Sequence, residues 1–188
     1  MAFFDDARRF GILVMVTAII SLAAGIGALT EGLDETWNLL DGIGGIVAAL
    51  IMLGCGLCIF LDMEPGFLWY FFPEGAGSKF GAITGFTAAA GLALLIGLGP
   101  ELISAILGAV IGILLLAIAW MITDEKKGLR KKIVWVSLAV LFFLCLMHGV
   151  VIALGTGLSI LTGVAEILTF LVAMFLLYDG DVKAKFGL

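Results

Sequence analysis

The chain has 188 residues, 63% of them hydrophobic and 13% charged, with a net charge of −5 and a mean hydropathy of +1.25. A soluble domain carries about a quarter charged residues, so this composition excludes a soluble enzyme or binding module and indicates an integral membrane protein. The basic residues form only one short run, Lys126 to Lys132, which leaves no surface for nucleic acid.

The first apolar stretch, about 10–30, follows Asp5, Asp6, Arg8 and Arg9. It is longer than the roughly 7–15 apolar residues of a secretory signal and acids precede it, so it reads as a first membrane span. The second stretch, about 38–61, contains Asp41, Gly45 and the pair Cys55 and Cys58, which share a helix face. Such a pair suggests redox or metal chemistry, but no second pair completes a four-ligand site. Cys55, Cys58 and Cys145 therefore read as small buried hydrophobes. Next, Pro65 and Pro73 bracket Phe67, Trp69, Tyr70, Phe71 and Phe72. Membrane interfaces concentrate Trp and Tyr, which places this loop in the inner headgroup layer; a partner-binding surface is the other reading. Further spans are predicted at about 79–98, 101–122, 131–154 and 157–178. All six lie close to the roughly 20 residues that cross a hydrocarbon core.

The cations fall on one side of these spans. Arg8 and Arg9 precede the first, Lys79 lies between the second and third, Lys126, Lys127, Arg130, Lys131 and Lys132 between the fourth and fifth, and Lys183 and Lys185 follow the sixth. By the positive-inside rule both termini are cytoplasmic, in a multi-pass protein of the cell (plasma or inner) membrane. Six acids, Glu31, Asp34, Glu35, Asp41, Glu101 and Glu166, are left outside or within the membrane.

The chain also repeats itself. Arg9-Phe10-Gly11 and Lys79-Phe80-Gly81 open the first and third spans, Thr17 and Thr87 coincide, and Ile26-Gly27 matches Ile96-Gly97. In the even-numbered spans Gly45, Gly108 and Gly163 each start an aliphatic run that ends at Asp62, Asp124 or Asp179. The expected fold is thus an all-α, single-domain, six-helix transmembrane bundle of three tandem hairpins, about 9–62, 79–124 and 131–179. All three start inside, so they are parallel rather than inverted repeats.

Six spans in a short chain, with short outer turns and glycines in each second helix (Asp41-Gly-Ile-Gly-Gly-Ile, Gly99-Pro-Glu-Leu-Ile-Ser-Ala-Ile-Leu-Gly, Gly157-Leu-Ser-Ile-Leu-Thr-Gly), resemble the HdeD-like acid-resistance membrane proteins. The resemblance covers nearly the whole chain and implies a stress- or acid-response role. It supplies no catalytic residues. The aromatic segment at 65–73 departs from the pattern.

Small residues hold helices together in lipid, where there is little hydrophobic drive between them. Gly81 and Gly85, extended by Ala89, form one such seam, and Gly108 with Gly112 another; one of the two is expected to be left for a neighbouring copy in a homo-oligomer or larger membrane complex. Two ionisable groups stand well inside the spans. Glu166 lies about nine residues from the outer end of the sixth span, roughly 14 Å deep, where an ionisable residue is a functional hypothesis by default. His148, the only histidine, lies about six residues inside the outer end of the fifth, roughly 9 Å deep. Consecutive antiparallel spans bring the two within bonding reach, and as a pair they form a proton-accepting site whose titration belongs to the couple. The plainer readings are an interhelical hydrogen bond from a protonated Glu166, and a neutral His148 on a backbone carbonyl.

No nucleophile–base pair is apparent, a single histidine cannot supply bis-histidine haem ligation, and no metal or cofactor is called for. The expected function is a non-enzymatic membrane protein of stress or acid-response type, or an accessory subunit, with membrane lipids as its surroundings. The alternative is a small proton-linked transporter or channel that uses Glu166 and His148.

Overall fold

A computed structural model describes residues 6–31, 36–63, 79–97, 102–123 and 131–188. Helices account for nearly all of them: α1 (Ala7–Glu31), α2 (Thr36–Leu61), α3 (Lys79–Ile96), α4 (Leu102–Thr123), α5 (Lys131–Ala153), α6 (Leu158–Leu177) and the short α7 (Gly180–Lys185). No strand occurs among the described residues. The aromatic residues Phe67, Trp69, Tyr70, Phe71 and Phe72, and the basic residues 126–130, lie outside them.

Among the described residues, five helices are long and apolar enough to cross a membrane, in α1, α2, α4, α5 and α6. The apolar part of α3, Gly81–Ile96, is shorter. At about 1.5 Å per residue it covers roughly 24 Å against a hydrocarbon core of about 30 Å. The chain is a multi-pass helical membrane protein.

Local chemistry sets the helix ends. The Asp6 carboxylate caps α1 by accepting from the Arg8 amide at 3.0 Å, as an acidic N-cap does. Helix α2 stops at Asp62, whose φ of 52° is left-handed, and the Met63 amide donates back to the Cys58 carbonyl at 3.0 Å. Glycine takes that backbone conformation without the steric penalty on Cβ. Asp62→Gly should therefore raise the stability of the detergent-solubilised protein by about 1 kcal/mol; an unchanged unfolding midpoint would mean that the aspartate side chain offsets the strain. Between α5 and α6 the chain reverses through Gly157, at φ 65° and ψ −130°, a region open to glycine alone.

The helices pack antiparallel in chain order within each pair. Glycines on α1 and α2 interlock: a methyl group added to Gly11 would lie 2.8 Å from the Phe60 amide, and one on Gly42 2.7 Å from that of Leu29. The remaining arrangement follows from the neighbours. Helix α3 packs on α2 and α4 and reaches α6 and α7, while α6 also packs on α1 and α5. The core runs through Phe10, Val14, Met52, Ile83, Phe86, Leu138, Phe142, Leu176 and Val182. Buried Thr17 and Thr87, which coincide in the sequence repeat, each donate to the carbonyl four residues back, Leu13 and Ile83, at 2.9 and 2.7 Å.

Three of the four seam glycines pack within the chain. Gly81, Gly85 and Gly112 are all buried. A methyl group on Gly112 would lie 2.9 Å from the Gly91 carbonyl on α3, so the α4 seam is occupied by the chain itself. Gly108 is half-buried. Exposed apolar side chains lie on the outer faces of α1 (Ile12, Val16, Ile19), α2 (Leu50, Leu57), α4 (Val110, Ile113, Leu114), α5 (Val140, Phe143, Leu144, Met147) and α6 (Ile160, Phe175) alike.

One end of the bundle is fastened by polar groups. Lys79 Nζ, at the start of α3, lies 2.7 Å from Asp179 Oδ2, with the two side chains only 17% and 15% exposed. Asp179 also accepts from the Asp181 amide and so caps α7. Trp135 Nε1 donates to the Leu177 carbonyl at 2.8 Å, and Lys183 lies over the Trp135 and Tyr178 rings. Val182 and Phe186, on and after α7, are buried.

Candidate functional site

At the opposite end the helices enclose a cavity of ≈ 250 Å³. Five of them line it and α4 does not. The small residues that permit close packing elsewhere here leave space: Ala24, Gly25 and Ala28 on α1, Gly45 and Ala48 on α2, Ala89, Ala90 and Ala93 on α3. Phe86, Met52 and Phe170 form the deep wall.

Glu166 and His148 meet on this cavity. Nδ1 of His148 is 3.0 Å from Oε1 and 3.3 Å from Oε2 of Glu166. One proton sits between the ring and the carboxyl, donated by the imidazole when Glu166 is ionised and by the acid when it is neutral. The His148 side chain is 63% exposed and that of Glu166 20%, so the ring stands at the mouth and the acid behind it. Gly149 makes the approach of α5 to α6 feasible, because a methyl group there would lie 3.1 Å from Glu166 Cβ and from the Ile167 amide. Gly163 does the same one turn nearer the mouth, where a side chain would run into the Ala153 backbone.

Asp41 is the third ionisable group on the wall, across from that pair and exposed at the mouth. A methyl group on Gly97 would lie 2.7 Å from Asp41 Oδ1, so the end of α3 approaches this carboxylate. The sequence alone places it only among the acids outside or within the membrane. A helical stripe carried the signal: Asp41, Gly45, Ala48 and Met52, spaced four, three and four, all line the cavity.

Lower on the wall, Ser21 Oγ is 3.2 Å from Thr169 Oγ1. Thr169 donates to the Ala165 carbonyl at 2.8 Å, which leaves Ser21 as the donor between them. Cys145 lines the cavity below His148, whereas Cys55 and Cys58 are buried elsewhere as free thiols. Among the described residues no group of His, Cys, Asp and Glu side chains could hold a metal ion. Gly81, Gly85, Gly108 and Gly112 do not line the cavity, and Gly45 does.

Among the described residues that line it, none is a lysine or arginine. Two carboxyls and one imidazole thus face a space with mostly apolar walls, where an isolated ionised carboxylate is costly. The arrangement can hold and exchange a proton. No protein-family model, no curated protein and no solved structure matches the chain. What the fold and site define is a class: a polytopic helical membrane protein with a polar cavity at one end.

Proposed function

We propose that this is a non-enzymatic, six-helix membrane protein of HdeD-like build whose cavity carries a proton-binding pair, His148 and Glu166. The single observation behind this reading is their 3.0 Å contact on the wall of a cavity that also holds Asp41. The proposal takes α3 as the sixth span and the pairs α1–α2, α3–α4 and α5–α6 as three hairpins. It places Arg8, Lys79, Lys131 and Asp179 in the cytoplasm, by the positive-inside rule, and the cavity mouth outside the cell or inner membrane. A pair that takes up a proton from the outer side fits a stress- or acid-response role, and equally a proton-linked carrier. On the accessory-subunit reading, the exposed faces of α4 and α5 meet a partner or a second copy rather than lipid.

Difference infrared spectra of the purified protein between about pH 5 and pH 8, the range in which an imidazole ordinarily titrates, test the pair. Carboxyl and imidazole bands should change together in the parent, and both should be altered in Glu166→Gln, which keeps the shape but exchanges no proton. Imidazole changes identical in parent and Glu166→Gln would reduce the contact to interhelical glue. In that case Glu166→Leu loses about 1 kcal/mol of stability and nothing else, the usual worth of a hydrogen bond between membrane helices.

A further inference from the structure

The cavity is larger than a proton site needs. Its ≈ 250 Å³ falls just below the roughly 300–1,000 Å³ of sites for drug-sized ligands, which suits a smaller molecule. Charge selects the sign of that molecule. Asp41 and Glu166 face the space, none of the described lining residues is a lysine or arginine, and His148 can balance only the Glu166 to which it is bonded, so an anion would meet a net negative wall, whereas a cation would supply the missing counter-charge. Only the mouth is ionisable: Asp41 on α2, and His148 with Glu166 on α5 and α6. Of the other lining groups, Cys145 is the sole titratable one, and α1 and α3 contribute none. Deeper in, the walls are Ala48, Ala89, Ala90, Phe86 and Phe170. A bare metal ion needs a cage of ligands, and none exists among the described residues.

We propose that the cavity binds a small organic monocation, with its ammonium head between Asp41 and Glu166 and its apolar body against Phe86 and the alanines of α2 and α3. The inference rests on the reading of this cavity as the functional site and adds the class of ligand to it. The head lies near the mouth, where His148 and Asp41 are exposed. The body replaces contact with water by contact with the apolar floor, and the aromatic faces at the floor add to the attraction when the cation reaches them.

Benzyltrimethylammonium chloride is a suitable probe because its charge is permanent and its body is compact. Equilibrium dialysis against the purified full-length protein in detergent should show saturable binding. Neopentylbenzene, which has the same shape without the charge, and phenylpropionate, which reverses it, should not compete, and sodium chloride should compete only weakly. Asp41→Asn and Glu166→Gln should each weaken binding by at least about tenfold. Ala89→Leu, which fills the floor and leaves every ionisable group in place, should abolish it; this variant keeps the test valid if a carboxyl variant fails to fold. Absence of saturable binding by the parent, binding unchanged in Ala89→Leu, or equal competition by the neutral isostere would overturn the proposal. The infrared test is made without any ligand. A parent that passes it and binds no cation therefore refutes this inference alone, and a parent that fails it loses the proton reading whatever the dialysis shows.

Discussion

Gly163→Val should be the most damaging single substitution in the chain. Any side chain at this position would run into the backbone nitrogen, Cα and Cβ of Ala153 on the facing helix. Those atoms cannot swing away as a side chain does, so α5 and α6 must separate along their outer half. Overpacking usually costs about 1–3 kcal/mol and occasionally more; a backbone clash belongs at the top of that range, at about 3 kcal/mol. The damage should spread, because the same helix pair carries His148 and Glu166 and approaches closely again at Gly149. Gly163→Ala should show a smaller loss of the same kind. Thermal unfolding in detergent measures the first effect and the infrared bands of the pair the second. If Gly163→Val unfolds like the parent, α5 and α6 do not cross as closely as described.

Removing Lys79 should come next. Its ion pair with Asp179 is 2.7 Å long and both side chains are mostly shielded. Lys79→Met leaves Asp179 as a partly buried charge without a counter-charge. Breaking such a pair from one side costs about 3–5 kcal/mol when fully buried, and the residual exposure here puts the expectation at the lower limit, about 3 kcal/mol. Asp179→Asn should cost a similar amount while it retains the cap on α7, since asparagine caps as well as aspartate does. Asp179→Ala should lose about 1 kcal/mol more through the cap. The informative variant is the double change Lys79→Met with Asp179→Asn, which strands no charge and should be less destabilised than the sum of the single changes. Denaturant or thermal unfolding of the four variants closes the cycle. Additive losses would mean that the two groups are screened from each other.

Much of this architecture is legible in the sequence, and the limits have identifiable causes. Hydropathy marks α1, α2, α4, α5 and α6 because each presents long aliphatic side chains outward over enough residues to cross a bilayer. Helix α3 is harder to judge because it is built of glycine, alanine and threonine for contact with its neighbours, and Gly81–Ile96 is short. Glu166 and His148 stand out from sequence alone, since an ionisable residue deep in a span is rare enough to be noticed. Asp41 does not, because depth along one helix says nothing about what faces it from another. Its role emerges once α2 and α3 bring it beside Gly97 and across from Glu166. The glycines divide in the same way. Their spacing shows that Gly112 lies on a packing face, but only the fold shows that α3 already occupies that face.

If α3 is the sixth span, its short apolar part, Gly81–Ile96, has a consequence for the surrounding lipid. A span too short for its bilayer ordinarily thins the membrane around it or recruits neighbours. Helix α3 has its lysine tied to Asp179 at one end, and Gly97, just after its other end, lies beside Asp41. Its flanks are covered by α2, α4 and α6, and α1 and α2 run to 25 and 26 residues. On that reading the annulus of lipid meets mainly the longer helices, and α3 imposes little thinning on it. Any mismatch at α3 is then taken up by the helices packed on it, beside the cavity that it lines from Phe86 to Gly97, and not by the lipid.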